Sequence, residues 1–155
     1  MTKLLLSLHV LAALLAIGPV TVAASMFPRT LRRAHSTTGD AEALANLRTL
    51  HRICRVYAGI GLAVPLFGFA TASSLHVLGS GWLIASITLT TVAAAILGLL
   101  ILPAQEDALT AAQTPDPGPD VPTAARLAMF TGLFNLLWAT VTVLMIVRPG
   151  STTGA

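Results

Sequence analysis

The chain has 155 residues, of which 55% are hydrophobic and 10% charged, and its mean hydropathy is +0.82. A soluble domain of this length carries about a quarter of charged residues, so the composition excludes an ordinary soluble fold. The net charge of +3 comes from arginines beside apolar runs, which argues against a nucleic-acid surface. The single cysteine, Cys54, excludes an internal disulfide bond and a multi-cysteine metal site.

The first predicted helix covers residues 4–27, an uncharged run that contains one imidazole, His9. A bilayer core of roughly 30 Å needs about 20 helical residues, so this run is long enough to cross a membrane. A cleaved secretory signal is the alternative, because small residues end at Ala24 in a cleavage pattern. Three arginines within residues 29–33 follow directly and favour an uncleaved helix with its downstream end in the cytoplasm.

Three further apolar runs predict transmembrane helices at residues 53–77, 82–102 and 125–147. A Gly-Ser-Gly turn joins the second helix to the third, and Trp82 stands where an interfacial aromatic anchor belongs. We expect Pro19 to kink helix one and Pro65 to kink helix two, because proline removes one backbone hydrogen bond and crowds the preceding turn.

Two polar segments connect the helices on one side of the membrane. Pro28 and Pro103 are predicted to end helices one and three. Residues 28–52 and 103–124 are therefore predicted to be loops, the first with a short surface helix and the second an exposed, poorly ordered connector.

Arginine positions predict the orientation. The side with both polar segments carries seven arginines, whereas the other side has Lys3 and Arg148. By the positive-inside rule, residues 28–52 and 103–124 are cytoplasmic and both termini lie outside. Arginine outnumbers lysine and alanine is abundant, which is typical of a GC-rich bacterial genome. We therefore expect the plasma membrane of a bacterium.

Small residues recur at helical spacing and mark one inward stripe on each helix, because small side chains let backbones approach in lipid. The stripes are His9, Ala12, Ala13, Ala16, Pro19 and Ala23 in helix one; Ala58, Gly61, Pro65, Gly68 and Ala72 in helix two; Ser86, Thr90, Ala94 and Gly98 in helix three; and Ala128, Gly132, Asn135, Ala139 and Thr142 in helix four. They predict an all-α fold, an antiparallel four-helix transmembrane bundle in one domain over residues 1–150. Residues 151–155 are predicted to be a disordered tail. Lipid-facing leucine and isoleucine permit a homo-oligomer or a larger membrane complex without requiring one.

Two histidines are candidate cofactor ligands. His9 lies on the small-residue stripe, and an intramembrane ionisable group often marks a ligand, proton or cofactor site. The structural alternative is a hydrogen bond to another helix, with Asn135, Ser86 or Thr88 as partner. His76, at the far end of helix two, is predicted near the level of His9, so the pair would clamp a haem or metal ion. Its structural alternative is an interfacial side chain facing water.

Other polar residues favour structural roles. Asn135 is the one amide in the four apolar runs and is predicted to be an interhelical polar contact. His51, Arg52 and Arg55 indicate topology-setting charge, with an anionic-headgroup site as the alternative. The runs contain no Asp, Glu or Lys, which argues against an ion-coupled transporter, and no catalytic motif of a soluble enzyme is present.

One resemblance rests on His9, Gly18 and the Pro28-Arg29 pair at the end of helix one. This helix resembles the opening helix of small bacterial integral membrane proteins that are classed only as a domain of unknown function. More loosely, it is similar to helix one of the copper-resistance protein D group and of HemJ-type protoporphyrinogen oxidases. The resemblance implies that His9 is a haem ligand.

These observations predict a multi-pass membrane protein without catalytic residues, acting as a small binding or accessory subunit. The alternative is a b-type haem-binding redox protein with His9 as a ligand.

Overall fold

The structure is a computed structural model that describes residues 2–36, 40–114 and 121–150. Every regular element in these ranges is helical, so the predicted all-α class is confirmed. The elements are α1 (Thr2–Ser36), α2 (Ala41–Gly61), α3 (Ala63–Ser74), α4 (Gly81–Ala95), a π-helical segment (Ile96–Ile101), α5 (Leu102–Ala111) and α6 (Val121–Val147). The predicted disordered tail, 151–155, lies outside the described residues.

Four helical stretches are long and apolar enough to cross a membrane, as predicted. They are Thr2–Ser36, Ala41–Ser74, Gly81–Ala111 and Pro122–Val147. The first is about 52 Å long at about 1.5 Å per residue, whereas a hydrocarbon core is roughly 30 Å thick. The bundle therefore extends beyond the bilayer. We call the end where α1 and α5 finish the loop end, and the end where α1 begins and α6 finishes the terminal end.

Helix one does not end at Pro28, because α1 continues to Ser36. A proline inside a helix leaves the carbonyl four residues earlier, here that of Ala24, without its usual donor. The Thr131 hydroxyl of α6 donates to this carbonyl at 3.5 Å. A neighbouring helix thus supplies the missing donor, which explains why the prediction of a helix end at Pro28 is wrong.

The segment 28–52 is helical at both ends rather than a loop. α2 begins at Ala41, and the side chain of Asp40 caps it by accepting a hydrogen bond from the Ala43 N–H at 2.9 Å. Arg33 of α1 forms a salt bridge with Asp40 at 3.4 Å. The predicted short surface helix is thus the first part of α2, continuous with helix two.

Helix three also continues past its predicted end. The N–H of Leu102 donates to the carbonyl of Leu97, the i to i+5 pattern of a π-helix. Pro103 follows in the first turn of α5, where proline is tolerated. The residues after it remain helical to Ala111, so the prediction of a loop from Pro103 is wrong over this part, and 115–120 lie outside the described residues.

Helix two is interrupted once, at Leu62 between α2 and α3. Pro65 lacks an N–H and its ring crowds the Gly61 carbonyl, and the Leu62 N–H turns to the Gly59 carbonyl at 3.2 Å. The interruption lies where Pro65 predicts a disturbance of the helix.

The four spans form a ring that is closed at the loop end and open at the terminal end. α1 packs along α2 and α3 and against α6, and α4 packs against α6. Spans two and three meet through α2 and α5, whereas α3 and α4 make few contacts, with Ala72 packed against Trp82 and Leu83 beside the turn that joins them. The largest fully buried side chains are in the loop half and include Phe27, Leu31, Leu47, Ile101 and Leu127.

The alanines and glycines of the small-residue stripes are buried or half-buried in helices one and two, whereas several stripe members in helices three and four are exposed. Ala16, Ala23 and Ala72 are buried, as is Ser86. Most of the stripe predicted for helix four is not buried: Ala128, Gly132, Ala139 and Thr142 are exposed, whereas Asn135 is half-buried and donates to Ser25 of α1. The buried face of α6 consists mainly of larger side chains, namely Leu127, Thr131, Phe134 and Val141. Helix four therefore packs through bulky side chains, while Ala128, Gly132 and Ala139 are exposed and Thr142 lines a cleft.

Candidate functional site

The separation of α3 from α4 leaves a cleft at the terminal end, with a volume of about 1150 Å³. Walls from α1, α3, α4 and α6 enclose it, and we call it the terminal cleft. Its polar residues are His9, Thr90, Thr91, Trp138, Thr142 and Arg148. The rest of the lining is almost entirely apolar, so a few polar groups converge on a large hydrophobic space, which is the usual composition of a ligand site.

His9 is half-buried on α1 and faces the terminal cleft. Its Nδ1 lies 2.9 Å from the carbonyl oxygen of Val64 on α3. A carbonyl only accepts, so Nδ1 carries the proton and donates, and the neutral ring keeps an acceptor lone pair on Nε2. Nε2 has no hydrogen-bond partner among the described residues. The ring is therefore held by protein on one side and available to a ligand on the other.

Gly68 makes this position of the imidazole possible. A Cβ atom at residue 68 would lie 2.9 Å from Cε1 of His9 and 3.1 Å from Nδ1. Real Cβ atoms essentially never approach other atoms so closely, so any larger residue must displace the ring. Gly68 is thus part of the site, although the sequence marks it only as one small residue in a stripe.

The partners predicted for His9 bind elsewhere. Asn135 donates to the Ser25 hydroxyl of α1 at 3.2 Å. Ser86 donates to the carbonyl of Trp82, and Thr88 donates to a carbonyl in its own helix. The structural alternative of a hydrogen bond from His9 to another helix is present in the structure, but its partner is the Val64 carbonyl of α3 and none of the three side chains predicted.

The terminal end also contains the indole of Trp138 and the guanidinium of Arg148. The indole nitrogen of Trp138, on the cleft wall, is buried without a hydrogen-bond partner among the described residues. Arg148 follows α6 with φ +46°, and its guanidinium lies 5.7 Å from the ring centroid of Trp82. This contact holds a positive charge beside the cleft.

His76 is not one of the residues that line the terminal cleft. It follows the end of α3 in the turn, exposed, with a left-handed φ of +58°. The structure therefore does not bring it together with His9 on the cleft wall. Within the described ranges, no group of three or more His, Cys, Asp or Glu side chains is arranged to hold a metal ion.

A buried polar cluster lies at the loop end, opposite the terminal cleft. Gln105 of α5 is fully buried; its Oε1 lies 3.2 Å from Nδ1 of His51, and its Nε2 donates to Sγ of Cys54 at 3.7 Å. This glutamine ties α5 to α2. The sequence did not predict this role of Gln105, because Pro103 predicts a loop from residue 103 onward. No residue pattern after Pro103 outweighs that proline and indicates that the helix continues.

The comparisons with known proteins agree with this architecture. No curated protein and no solved structure matches the chain. The likeness of helix one to the copper-resistance and oxidase groups remains an expectation from that helix alone. A family model described as a predicted integral membrane protein (DUF2269) matches residues 3–149. With four apolar helical spans over the same residues, the chain belongs to the DUF2269 family of predicted integral membrane proteins.

Proposed function

We propose that this protein is a small membrane-embedded binding or accessory subunit that holds a lipophilic ligand in the terminal cleft. The observation that carries the proposal is the His9 imidazole, fixed by the Val64 carbonyl and presenting an unpartnered Nε2 to an apolar space. The bilayer delivers such a ligand directly, because the cleft lies between membrane-spanning helices.

The chemistry of the cleft indicates the class of ligand. A volume of about 1150 Å³ exceeds the roughly 300–1,000 Å³ of drug-sized pockets, which favours a ligand with a long apolar body. Neutral Nε2 is an acceptor, so the ligand's polar group is a donor such as a phenol or quinol hydroxyl. One neutral hydrogen bond of this kind changes affinity by about three- to tenfold.

A titration with a long-chain alkylphenol tests the proposal, with the matching alkylbenzene as the probe that lacks the hydroxyl. We expect native mass spectrometry of the detergent-purified chain to show tighter binding of the phenol, and His9→Ala to remove the difference. His76→Ala is the matched control, since His76 lies outside the cleft lining. Equal binding of both probes by the native chain would refute the role of His9.

Haem binding is a second candidate, favoured by the same hydrogen bond. Histidines that ligate metals usually donate their other ring N–H to a carbonyl or carboxylate, as His9 donates to Val64. Met145 also lines the cleft, and histidine together with methionine is a known pair of ligands for haem iron. His9 and Met145 would hold a haem, which supplies one-electron redox chemistry.

Absorption spectra separate the two candidates. Protein purified from haem-replete cells is compared in oxidised and dithionite-reduced form, beside His9→Ala. A Soret band that shifts on reduction and disappears in the variant supports haem. A featureless spectrum from folded protein rules haem out and leaves the lipophilic ligand.

The orientation is part of the proposal. Exposed arginines at the loop end support placing that end in the cytoplasm of a bacterial plasma membrane, with both termini outside. A ligand would then enter the cleft from the outer leaflet. Labelling of a cysteine introduced at His76 by a membrane-impermeant reagent on whole cells, in a Cys54→Ser background, tests this. An accessory role further implies a second copy or a larger membrane complex, which crosslinking in native membranes would detect.

A further inference from the structure

A second pocket, of about 280 Å³, lies at the loop end between the π-helical segment, α5 and α6. We call it the loop-end pocket. Asp107 and Arg126 line it together with the Thr123 hydroxyl, and Leu99 and Phe130 supply apolar surface. It shares no lining residue with the terminal cleft, so nothing argued for it depends on the proposed function.

The loop-end pocket lies where apolar helix surface gives way to charge. The apolar run of helix three stops at Leu102, and that of helix four starts at Leu127. Leu99, on the apolar side of this boundary, is 74% exposed and so faces lipid acyl chains. Asp107 and Arg126 stand on its charged side. In a bilayer this boundary coincides with the phospholipid headgroups.

The two charges belong to different helices and both remain accessible. The Arg126 guanidinium lies 5.9 Å from the ring centroid of Phe130, which fixes it over an aromatic face. Asp107 is exposed, and among the described residues it makes no salt bridge with Arg126. The pocket therefore offers one cationic and one anionic contact above an apolar floor.

We propose that the loop-end pocket binds the headgroup of a zwitterionic aminophospholipid, with its phosphate on Arg126 and its ammonium group on Asp107. An ammonium group has donors for the carboxylate, whereas a choline headgroup has none and a glycerol headgroup has no positive charge. The acyl chains extend along Leu99 and Phe130. Two opposite charges on the protein thus match two opposite charges on one ligand.

Competition between lipids tests the assignment. The full chain in detergent is given equal amounts of phosphatidylethanolamine, phosphatidylglycerol and phosphatidylcholine with identical acyl chains, and retained lipid is measured by native mass spectrometry. We expect phosphatidylethanolamine to be retained best, at about five times the amount of either other lipid, because only its ammonium group makes the additional charge contact with Asp107. Equal retention of all three, or preference for phosphatidylglycerol, overturns the proposal.

Two variants separate the two contacts. Arg126→Gln is expected to lower retention of all three lipids about fivefold, and Arg126→Lys to preserve it, because the phosphate contact is common to them. Asp107→Asn is expected to remove only the advantage of phosphatidylethanolamine. Glu106→Gln is the matched control, since Glu106 is exposed next to Asp107 but does not line the pocket. An equal effect of Glu106→Gln, or an unchanged lipid preference in Asp107→Asn, overturns the assignment of the ammonium contact.

Discussion

The two halves of the bundle differ in how closely their helices pack. At the loop end, large side chains such as Phe27 and Leu127 are fully buried and all four spans meet. At the terminal end, α3 and α4 separate and leave a space of about 1150 Å³. One half holds the helices together, and the other half can therefore stay open.

Polar groups differ between the halves in the same way. At the loop end, Gln105 of α5 contacts His51 and Cys54 of α2, and the Thr131 hydroxyl of α6 donates to the Ala24 carbonyl of α1, so these polar contacts join two helices. Nε2 of His51 is buried at the loop end without a partner among the described residues, whereas at the terminal end the unpartnered Nε2 of His9 and indole nitrogen of Trp138 belong to side chains that line the cleft. Unsatisfied groups beside an open apolar space are a property of binding sites rather than of packing.

The largest expected effect comes from removing a core side chain at the loop end. Phe27→Ala should lower the free energy of unfolding in mixed micelles by about 2–3 kcal/mol. The variant leaves a cavity that loses packing contacts, whereas moving a phenyl ring between protein and lipid changes the free energy little. Leu14→Ala, at a site 68% exposed on the wall of the cleft, should cost far less. Equal losses of unfolding free energy in the two variants would show that the two halves contribute equally to stability.

The buried glutamine should rank second. Gln105→Leu leaves Nδ1 of His51 buried without a partner, and an unsatisfied buried polar group costs about 1–2 kcal/mol. Unfolding in mixed micelles measures the change. The cost should shrink in a His51→Leu background, where no unpaired nitrogen remains. An undiminished cost would mean that Gln105 acts by shape rather than by hydrogen bonding.

Gly68→Ala should act on the site more than on the fold. The added Cβ collides with the His9 ring, so the side chain must leave the Val64 carbonyl, at a cost of about 1 kcal/mol in stability. We expect the alkylphenol preference to fall about three- to tenfold as that hydrogen bond is lost. Gly59→Ala is the control, because nothing lies within 4 Å of a Cβ there. Unchanged phenol binding would separate His9 from ligand recognition.

Sequence patterns predicted the all-α class and the number of spans because the mean hydropathy of a run depends only on the residues in that run. Four long apolar runs suffice to predict four spans, and the structure has four such stretches in its described residues. The lengths were less predictable. Pro28 and Pro103 end helices only when nothing else compensates, and the compensation comes from Thr131 on another helix and from a π-turn. Neither is visible in a local pattern.

The candidate site was predictable only in part for the same reason. His9 stands out in an apolar run, but its partner is the backbone carbonyl of Val64. Every residue has such a carbonyl, so the sequence does not indicate which one His9 contacts. Small residues on α6 suggested the wrong face, since Phe134 and Leu127 pack inward. The cleft itself depends on how α1, α3, α4 and α6 are placed relative to one another, a property of the whole bundle.

The smallest expected effect concerns the bond that lets α1 pass through Pro28. Thr131→Val removes the donor to the Ala24 carbonyl and should cost about 0.5 kcal/mol, the usual size of one interhelical hydrogen bond in a membrane. Thr140→Val, whose hydroxyl donates within its own helix on an exposed face, is the control. Unfolding in mixed micelles measures both.

A double-mutant cycle gives this prediction its sharpest form. Pro28→Ala restores a backbone N–H to α1, which can then donate to the Ala24 carbonyl in the ordinary helical pattern. In that background Thr131→Val should cost nothing measurable, because the carbonyl no longer depends on α6. A cost that persists would mean that Thr131 stabilises the loop end by packing, and that α1 tolerates Pro28 with one carbonyl unpaired.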